Sequence, residues 1–445
     1  MTELIESGID WIGTVPTHWK KEKIYRLCEK VTSGGTPNSG NEGYYLDGDI
    51  NWVQSGDLTD GCVTKTQKRL TEEGLANSPA KILPKGTLLI AMYGATIGKL
   101  GILSIDAATN QACCALMLRS HITTKYMFYT LLNMRLYLIN ESYGGGQPNI
   151  SQETVKQQYI LHPPKPEQEA IARHLDKVTA QIDAAIDIKQ RQVEKLEAIR
   201  DSLINETIKT GANKFVKFKE VSREPITSIP EHYKVVKLKS ITRQIVDGTH
   251  FTPNYLEGDT SEGIPFIRIT DLQNKEIDLS RTKYISPEEH KELSKRCLPE
   301  VGDLLLSKNG TIGLTKIVDW NYECSLFVSI CLIKPVKQLI DVEYLNYYFQ
   351  SDYMAYQFYH ESKQITVSNL HLENIRDFLI VLPPVKEQRE IAQVLRHKEN
   401  QFSQLRVKLN KQIAVLRAYR RSVIHEYVTG KKRVMATGAK NEENS

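Results

Sequence analysis

The sequence lacks the features of membrane-spanning proteins and of metal-binding proteins. No apolar run approaches the roughly 20 residues that a helix needs to cross a bilayer, and the opening residues MTELIESGIDWIG contain no apolar segment of the kind found in signal peptides. The seven cysteines include no Cys-x-x-Cys pair, and the histidines are scattered without ligand spacing. We therefore expect a cytoplasmic protein with reduced thiols, no metal site and no membrane partner.

Motifs of common DNA-modifying and nucleotide-hydrolysing enzymes are also missing. The chain contains no Asn/Asp-Pro-Pro-Tyr/Phe sequence, with which adenine methyltransferases hold a flipped base, and no Pro-Asp…Asp/Glu-x-Lys nuclease cluster. The nearest approach to a phosphate-binding loop, GATIGKL, is one residue short and has Leu100 in place of the Ser or Thr that binds Mg²⁺. These absences predict that the chain is not an enzyme by itself and binds no cofactor.

The composition is that of a globular protein. The chain has 445 residues, of which 40% are hydrophobic and 25% are charged, and its mean hydropathy is −0.37. A chain of this length is expected to form roughly three domains. The net charge of +5 and the pI near 8.6 permit binding to nucleic acid without requiring it.

An internal repeat dominates the sequence. PPKPEQEAIARHL at residues 163–175 returns as PPVKEQREIAQVL at residues 383–395, 220 positions later. The same offset aligns PNIS with SNLH, and both copies end in Thr-Gly. Upstream, VPTHWKKEKI, INWVQSGDL and LPKGTLLIAMYGATIGK resemble IPEHYKVVKL, IPFIRITDL and LPEVGDLLLSKNGTIGL of the second half. We infer a tandem duplication of a half of about 215 residues.

Each half has a strand-rich part followed by one long helix. Short β-branched runs such as GTLLIAMYG and GDLLLSKNG, separated by turn residues, predict an α+β region that ends in a short helix. No Pro or Gly occurs between Pro166 and Gly211 or between Pro384 and Gly430, which predicts helices of roughly 65 Å. The predicted boundaries are 1–162 and 212–382 for two strand-rich domains, 163–211 and 383–430 for two long helices, and 431–445 for a polar, disordered tail.

Apolar residues recur along both helices in steps of three and four, which is the pattern of a coiled-coil seam. The predicted seam residues are Ile171, Leu175, Val178, Ile182, Ala185, Val193, Leu196, Ile199 and Leu203 in the first helix and Ile391, Leu395, Phe402, Leu405, Leu409, Ile413, Leu416, Tyr419 and Val423 in the second.

So narrow a seam on so long a helix needs a partner helix of similar length, and this chain provides one. We favour intramolecular pairing because covalent linkage raises the effective concentration of the partner; pairing of each helix with another chain is the alternative. Residues 212–230 lead directly from the end of the first helix into the second strand-rich domain. We therefore predict an antiparallel intramolecular coiled coil with an internal pseudo-two-fold repeat.

The order of several short motifs resembles the specificity (S) subunits of type I restriction–modification systems. The motifs are WIGTVPTHW, SGGTP, GATIGK, ATNQACCAL and GGGQPNIS, followed by the duplicated Pro-Pro-x-x-Glu-Gln-x-x-Ile-Ala, and the resemblance covers nearly the whole chain. In the second half DGTHFTP replaces SGGTP, and SLFVSICLI replaces the Asn-Gln-Ala-Cys-Cys stretch. Domains that share a scaffold and read different targets would differ in this way.

The resemblance implies a non-catalytic subunit of a site-specific deoxyribonuclease and adenine-N6 methyltransferase complex in a bacterial or archaeal cell. The strand-rich domains would be target-recognition domains, each reading one half of a bipartite, asymmetric site in double-stranded DNA. The helices would space these domains and dock two methyltransferase (M) subunits, and ATP-dependent restriction (R) subunits would join for cleavage. S-adenosylmethionine, ATP and Mg²⁺ are expected on those partners.

Two other classes of function stay open at this point. One is an architectural or scaffold protein that binds DNA through a coiled-coil framework without a methyltransferase partner. The other is a divergent restriction or methylation enzyme that acts alone.

Polar residues in Gly-rich loops and just beyond strands are the candidates for reading base edges, because Arg, Gln and Asn can make paired contacts with bases. The predicted DNA-binding residues are Thr36, Gln54, Ser55, Asp57, Tyr93, Asn110, Gln111 and Gln147 in the first domain and Thr249, His250, Arg268, Thr270, Lys308, Asn309, Lys363 and Gln364 in the second. Basic residues predicted to contact phosphates are Lys65, Lys68, Arg69, Arg281 and Lys283. An ordinary solvated loop position is the alternative for each of them.

The Pro-Pro-x-x-Glu-Gln motif has two interpretations. It can begin a helix, because Pro favours the first turn and Glu favours the positive end of the helix dipole. It can also be a surface presented twice to two copies of one partner. The residues of that predicted surface are Pro163, Pro164, Glu167, Gln168, Pro383, Pro384, Glu387 and Gln388.

Overall fold

The computed structural model describes residues 3–9, 12–141, 149–211, 216–257, 260–273, 276–362 and 369–434. The chain divides into two compact units. The first unit comprises residues 1–189 and 411–445, and the second comprises residues 190–410. Each unit therefore contains one strand-rich region together with segments of both long helices.

The first unit contains twelve described strands and the start of a long helix. Its strands are β1 (Leu4–Glu6), β2 (Thr14–Pro16), β3 (Lys20–Lys23), β4 (Cys28–Ser33), β5 (Ile50–Val53), β6 (Gly61–Val63), β7 (Lys68–Leu70), β8 (Leu88–Ala91), β9 (Leu100–Leu103), β10 (Ala108–Thr109), β11 (Cys113–Leu118) and β12 (Tyr159–His162). Its helices are α1 (Ile24–Leu27), α2 (Glu72–Ala76), α3 (Thr124–Asn140), α4 (Gln152–Gln157) and the first part of α5 (Lys165–Thr210).

Two main sheets, in addition to the two-stranded pairs β1-β2 and β3-β12, form the strand-rich part of the first unit. The larger has the strand order β4-β11-β8-β9-β6 and is antiparallel except between β6 and β9. The smaller has the order β10-β5-β7, in which β10 and β5 run parallel. Because side chains alternate along β8, Leu88 and Ile90 pack in the cluster that contains α3, whereas Leu89 and Ala91 pack on the opposite face.

The second unit repeats this arrangement. Its strands are β13 (Phe218–Arg223), β14 (Ile226–Pro230), β15 (Lys234–Lys237), β16 (Thr242–Asp247), β17 (Ile264–Ile267), β18 (Lys283–Ile285), β19 (Leu304–Ser307), β20 (Thr315–Ile317), β21 (Ser325–Leu326), β22 (Ile330–Pro335) and β23 (Leu379–Leu382). Its helices are α6 (Pro287–Ser294), α7 (Val342–Phe349), α8 (Asp352–Ser362), α9 (Leu372–Asp377) and the greater part of α10 (Val385–Val428).

The two main sheets of the second unit follow the strand order of the first. The order β16-β22-β19-β20 corresponds to β4-β11-β8-β9, and β18-β17-β21 corresponds to β7-β5-β10 with the same parallel pair. Among the described residues the two units differ at β6, which has no counterpart in the second sheet. They also differ before the long helix, where α7 ends at Phe349 and α8 begins at Asp352, although the first unit has the single helix α3. The predicted duplication is therefore a duplication of three-dimensional structure.

The two long helices pair in antiparallel fashion within each unit. In the first unit Arg420 of α10 contacts Asp183 of α5, with Nε 2.8 Å from Oδ1, and Ile182, Ile186 and Ile413 form a small buried cluster. In the second unit, Arg200 donates to Glu399 at 2.6 Å, and Arg406 donates to Glu197 at 3.0 Å. The α+β fold class and the antiparallel helix pair predicted from the sequence are confirmed.

The seam differs from the predicted seam where the helices reach the strand-rich parts. Ile199, Leu405 and Tyr419 were predicted at the seam, but their exposed fractions are 48%, 50% and 54%. Ile204 and Ile208 of α5 are instead buried in the main core of the second unit. Ile424 and Val428 of α10, together with the predicted seam residue Val423, are buried in that of the first. In the last turns of each helix, the buried face is therefore the one that packs against a strand-rich domain. A uniform heptad pattern does not predict which face that is.

A buried glutamine attaches the start of each long helix to the strand-rich part. Gln168 is 1% exposed; its Oε1 accepts from the Thr123 amide at 2.8 Å, and its Nε2 donates to the carbonyls of Pro163 and His121. The amide thus satisfies one main-chain carbonyl at the start of α5 and two main-chain groups in the segment that leads into α3.

Gln388 repeats these bonds in the second unit. It is fully buried, accepts from the Asp341 amide at 2.8 Å and donates to the carbonyls of Pro383 and Leu339. The two helix starts are therefore equivalent down to single hydrogen bonds.

Both helices end at a glycine with a left-handed backbone. Gly211 has φ +79° and Gly430 has φ +73°, a conformation that glycine adopts at helix C-termini without the steric cost of a Cβ. The Thr-Gly dipeptides found by sequence comparison are thus helix stops.

Replacing either buried glutamine by leucine should destabilise its unit. In Gln388→Leu the Asp341 N–H and two carbonyls lose their partner, so we expect a loss of about 2–4 kcal/mol of unfolding free energy, measured by chemical denaturation, and a similar loss for Gln168→Leu. Gln393→Leu, at an exposed position of the same helix, is the control and should change stability little. A Gln388→Leu variant as stable as this control would contradict the role given to the amide.

Candidate nucleic-acid interface

The loop after β4 crosses closely over β10 in the first unit. The Gly35 amide donates to the Thr109 carbonyl at 2.9 Å, and a Cβ on Gly34 would overlap that same carbonyl. Only glycine fits this approach. The crossing places Thr36, which is exposed, so that its Oγ1 donates to Oε1 of Gln111. Two residues predicted to bind DNA are thereby brought together from distant parts of the sequence.

A second turn, after β5, presents Gln54 and Ser55. The Gln54 amide donates to Oδ2 of Asp57 at 2.8 Å, which fixes the turn and gives Asp57 a structural role. Asn110 likewise shapes the backbone, since its amide donates to the Val53 carbonyl and its Oδ1 accepts from the Ala112 amide. Asp57 and Asn110 therefore support the residues beside them.

A groove of about 660 Å³ runs beside these turns. Thr36 and Gln54 line it, together with the basic residues Lys68 and Arg69 of β7. Arg69 and Lys68 are exposed, so this side of the groove carries positive charge next to groups that can hydrogen-bond to bases; the exposed carboxylate of Glu42 also lines the groove. Lys65, also exposed, lies a few residues before β7.

Not every predicted residue of the first domain belongs to this groove. Tyr93 is half-buried after β8 and pairs through its backbone with Asn149. Gln147, like Lys363 and Gln364 of the second domain, lies outside the described residues.

The second unit builds the same crossing with other side chains. The Thr249 amide donates to the Leu326 carbonyl at 2.9 Å, as Gly35 does to Thr109, and a Cβ on Gly248 would overlap that carbonyl. The residue that follows, His250, therefore occupies the place of Thr36. Thr249 itself is buried, so its side chain is not available to a base.

The turn after β17 corresponds to the turn after β5. The Arg268 amide donates to Oδ2 of Asp271 at 2.8 Å, matching Gln54 and Asp57, and Thr270 within this turn is exposed. Beyond β17, Arg281 and Lys283 are exposed; Lys283 Nζ lies 5.7 Å from the ring centroid of Tyr255. The predicted phosphate-contacting residues are thus accessible in both units.

The prediction that Lys308 reads DNA is corrected by its burial. Lys308 is only 5% exposed, and its Nζ lies 3.0 Å from Oδ2 of Asp247. Asp247 also contacts Arg296 and, at 3.2 Å, His250. Burial by itself would raise the pKa of Asp247, but the hydrogen bonds and charges of Lys308 and His250 outweigh it and lower that pKa. Lys308 and Asp247 form a buried ion pair that supports the His250 loop.

Sequence reasoning missed Asp247, although a signal for it existed. In the first unit Ser33 and Met92 occupy the places of Asp247 and Lys308, as the backbone bonds of the two units show: the amide of Met92 donates to the Ala112 carbonyl, and that of Lys308 donates to the Ser329 carbonyl. A serine and a methionine were thus replaced together by two opposite charges. Asn309 takes the place of Tyr93 and pairs through its backbone with Asn369.

The Pro-Pro-x-x-Glu-Gln residues lie at the junction between each helix and its strand-rich part. Glu167 accepts from Trp19 Nε1 at 3.2 Å and contacts His18 Nε2 at 2.8 Å. Glu387 makes the same pair of contacts with Tyr233 and His232. These contacts account for the repeated PTHW and PEHY sequences.

The burial of this motif supports its interpretation as a helix start. Pro163, Gln168, Pro383 and Gln388 are buried and cannot contact a partner, which corrects that part of the prediction. Pro164 and Pro384 are exposed, and Glu167 and Glu387 are half-buried; for these four residues partner contact stays a prediction.

Among the described residues no helix is long and apolar enough to cross a membrane. In that same part of the chain no three His, Cys, Asp or Glu side chains are grouped so that they could hold a metal ion. What the two units share is a polar, partly basic loop surface on a repeated scaffold, which is the arrangement of a protein that recognises an extended ligand in two parts.

Comparison with known proteins identifies the family. The model of the type I restriction modification DNA specificity domain matches twice, at residues 16–198 and 230–415. The chain therefore belongs to the family of type I restriction–modification specificity subunits, which are non-catalytic components of their complexes. The family resemblance inferred from the sequence motifs is therefore confirmed.

Two curated relatives match most of the chain at low identity. The chain is 23% identical over 435 residues to the type I restriction enzyme MjaIX specificity subunit of Methanocaldococcus jannaschii, covering 95% of each chain. It is 24% identical over 403 residues to the EcoBI specificity subunit of Escherichia coli, covering 88% of this chain and 81% of that one. A chain of a solved structure of a type I R-M system shares the fold, with a TM-score of 0.71, 15% identity and coverage of 94% of this chain and 99% of that one.

The ion pair between Asp247 and Lys308 should be replaceable only as a pair. Lys308→Met removes the buried cation that lies 3.0 Å from Asp247 and leaves this carboxylate with only the more exposed Arg296 and His250, so we expect a loss of about 2–3 kcal/mol in unfolding free energy at pH 7. The double variant Asp247→Ser, Lys308→Met installs the residues of the first unit and should recover most of that loss. The coupling would be contradicted if the loss of unfolding free energy in the double variant equalled the sum of the losses in the single variants Lys308→Met and Asp247→Ser.

The effect of Lys308→Met on stability should depend on pH. The pKa of Asp247 is lowered in the folded state, so Lys308 stabilises the fold above the ordinary carboxyl pKa of about 4 and loses that effect as Asp247 is protonated. The stability difference between the parent chain and Lys308→Met should therefore shrink when the pH falls from 7 to 3.

Proposed function

We propose that this chain is the subunit that selects the DNA site of a type I restriction–modification complex, each strand-rich domain reading one half of a bipartite, asymmetric site in double-stranded DNA. The observation that carries the proposal is the matched pair of loop surfaces. Thr36 and Gln54 in the first unit correspond to His250 and Arg268 in the second on the same backbone frame. A duplicated scaffold with unequal reading residues suits a site whose halves differ.

The charge of these surfaces supports DNA as the ligand. Lys68 and Arg69 flank the groove of the first unit, and exposed Arg281 and Lys283 follow the corresponding turn of the second. Basic side chains of this kind position a protein on the phosphates, while polar loop residues discriminate bases.

The chemistry comes from partners in this proposal. Two M subunits would supply adenine-N6 methylation with S-adenosylmethionine, and R subunits would supply ATP- and Mg²⁺-dependent cleavage. The complex would work in the cytoplasm, where the cellular DNA lies. The chain's own contribution is the choice of site and the geometry of assembly.

The proposed function predicts a defined methylation pattern. Expressed with the M subunit of its own system in a host without adenine methylation, the chain should direct N6-methylation to one bipartite sequence, read by sequencing of modified bases. Omitting the chain should abolish the pattern. A chain that binds DNA but leaves no methylated site, or that binds S-adenosylmethionine when purified alone, would favour the scaffold or the solitary-enzyme alternative.

Exposed apolar residues at equivalent positions of the two helices support the docking of two identical subunits. Ile199 of α5 lies in the second unit and Tyr419 of α10 in the first, and the repeat relates them by 220 residues. Both are about half exposed, although they continue the apolar pattern. Equivalent apolar positions on a pseudo-symmetric chain offer the same contact to two copies of one partner.

Charge at these positions should remove M subunits one at a time. We expect Ile199→Asp and Tyr419→Asp each to lower the number of bound M subunits from two to one, and the double variant to abolish binding, as measured by native mass spectrometry of the co-purified complex. Gln181→Asp and Gln401→Asp, an exposed pair related by the same repeat, serve as controls. Two bound M subunits in the double variant would rule out this docking surface.

The length of the helices should set the spacer between the half-sites. Inserting Ala-Glu-Ala-Lys after Arg191 lengthens α5 by about 6 Å, so we expect a spacer longer by one or two base pairs with both half-sites unchanged. A same-length replacement of residues 189–192 by these four residues is the control. New half-site sequences with the original spacer, read by modified-base sequencing, would contradict the idea that the helices act as a spacer.

A further inference from the structure

One residue position of the recognition surface is structurally the same in both units. Gln54 directly follows β5, and Arg268 directly follows β17. Each of these strands pairs in parallel with the short strand over which the loop crosses, Trp52 of β5 with Ala108 of β10 and Phe266 of β17 with Ser325 of β21. The strand register therefore makes Gln54 and Arg268 equivalent.

The backbone at this position is held in the same way in both units. An aspartate three residues later accepts from the amide of the position at 2.8 Å, Asp57 in the first unit and Asp271 in the second. The preceding residue is also held alike: the carbonyl of Val53 accepts from the Asn110 amide and that of Ile267 from the Phe327 amide. Two strong restraints thus leave the side chain as the main difference between the units.

The side chains at this position face accessible space. Gln54 lines the groove beside Lys68 and Arg69. The Arg268 side chain is 29% exposed, and its Nε lies 3.4 Å from Oδ2 of Asp271. Within the described residues, Nη1 and Nη2 of Arg268 make no hydrogen bond, so the two outer nitrogens of a guanidinium oriented by Asp271 are available to a ligand.

Glutamine and arginine side chains prefer different purines. A glutamine amide can accept from N6 and donate to N7 of adenine, whereas an arginine guanidinium donates to both O6 and N7 of guanine. Either pair of bonds needs a side chain that extends from a fixed backbone position, because a paired contact tolerates little movement. The hydrogen bond from the backbone amide to the aspartate fixes that position in both units.

We infer that this position selects a purine in each half-site, adenine through Gln54 in the half read by the first unit and guanine through Arg268 in the half read by the second. The inference rests on the proposed function and deepens it, since it assigns a base to a residue. Asp57 and Asp271 are positioning residues, because they act through the backbone and, for Asp271, also through the guanidinium. His250 and Thr36 would then read or contact a neighbouring part of each half-site.

Exchanging the two residues should exchange the two bases. In Gln54→Arg, one base pair of one half-site should change from adenine to guanine in the methylated sequence. In Arg268→Gln, one base pair of the other half-site should change from guanine to adenine. Methylation rates on duplexes that differ only at that base pair should shift their preference by roughly 10- to 100-fold. The half-site read by the unaltered unit is an internal control for folding and assembly.

Two further variants separate recognition from simple loss of charge. Arg268→Lys keeps the charge but lacks the planar, rigid pair of donors, so it should keep methylation with a weaker preference for guanine. Gln393→Ala, at an exposed position of α10 outside the recognition loops, should leave both half-sites unchanged.

The outcomes distinguish the two levels of the proposal. A parent complex that methylates no defined sequence refutes the proposed function itself. A parent complex with a defined site, whose half-sites are unaltered in both Gln54→Arg and Arg268→Gln, refutes only the assignment of this position. So does a change in the same half-site for both variants, or a change that does not convert adenine into guanine or the reverse.

Discussion

The attachment of each long helix to its strand-rich domain depends on one buried amide side chain. Gln168 and Gln388 each satisfy one main-chain N–H and two main-chain carbonyls. Because an unpaired buried backbone group costs about as much as a lost hydrogen bond, these contacts allow a helix to begin against a domain surface without leaving those backbone groups unpaired. The adjacent Glu167 and Glu387 add bonds to a His-aromatic pair. Helix direction and domain orientation are consequently coupled inside each unit.

That coupling explains which parts of the architecture were predictable. The repeated motif is local and its chemistry is intrinsic to helix starts, so the sequence shows the duplication, the two helices and their antiparallel pairing. The exposure of Ile199 and Tyr419 was not predictable, because burial near the helix ends depends on which face a strand-rich domain covers. An apolar residue in register has the same appearance in the sequence whether it packs against a helix or lies on the surface.

The candidate site was predictable in type and less so in detail. Thr36, Gln54 and Arg268 lie on accessible turns as expected, since polar residues directly after strands often do. Lys308 was misassigned because a lysine in a Gly-containing loop is usually solvated, and nothing local marks Asp247 as its partner 61 residues earlier. Only the comparison of the two units, in which both residues change together, makes the buried pair evident.

The division of the chain into units also determines when each can fold. The second unit is one continuous segment, residues 190–410, whereas the core of the first includes Val423, Ile424 and Val428. During synthesis the second recognition domain has its whole sequence available before the first one does. The first domain, made earliest, remains with an uncovered apolar surface until the last helix emerges from the ribosome. A truncated product that ends within α10 would therefore lack a finished domain at its N-terminal side, far in sequence from the break.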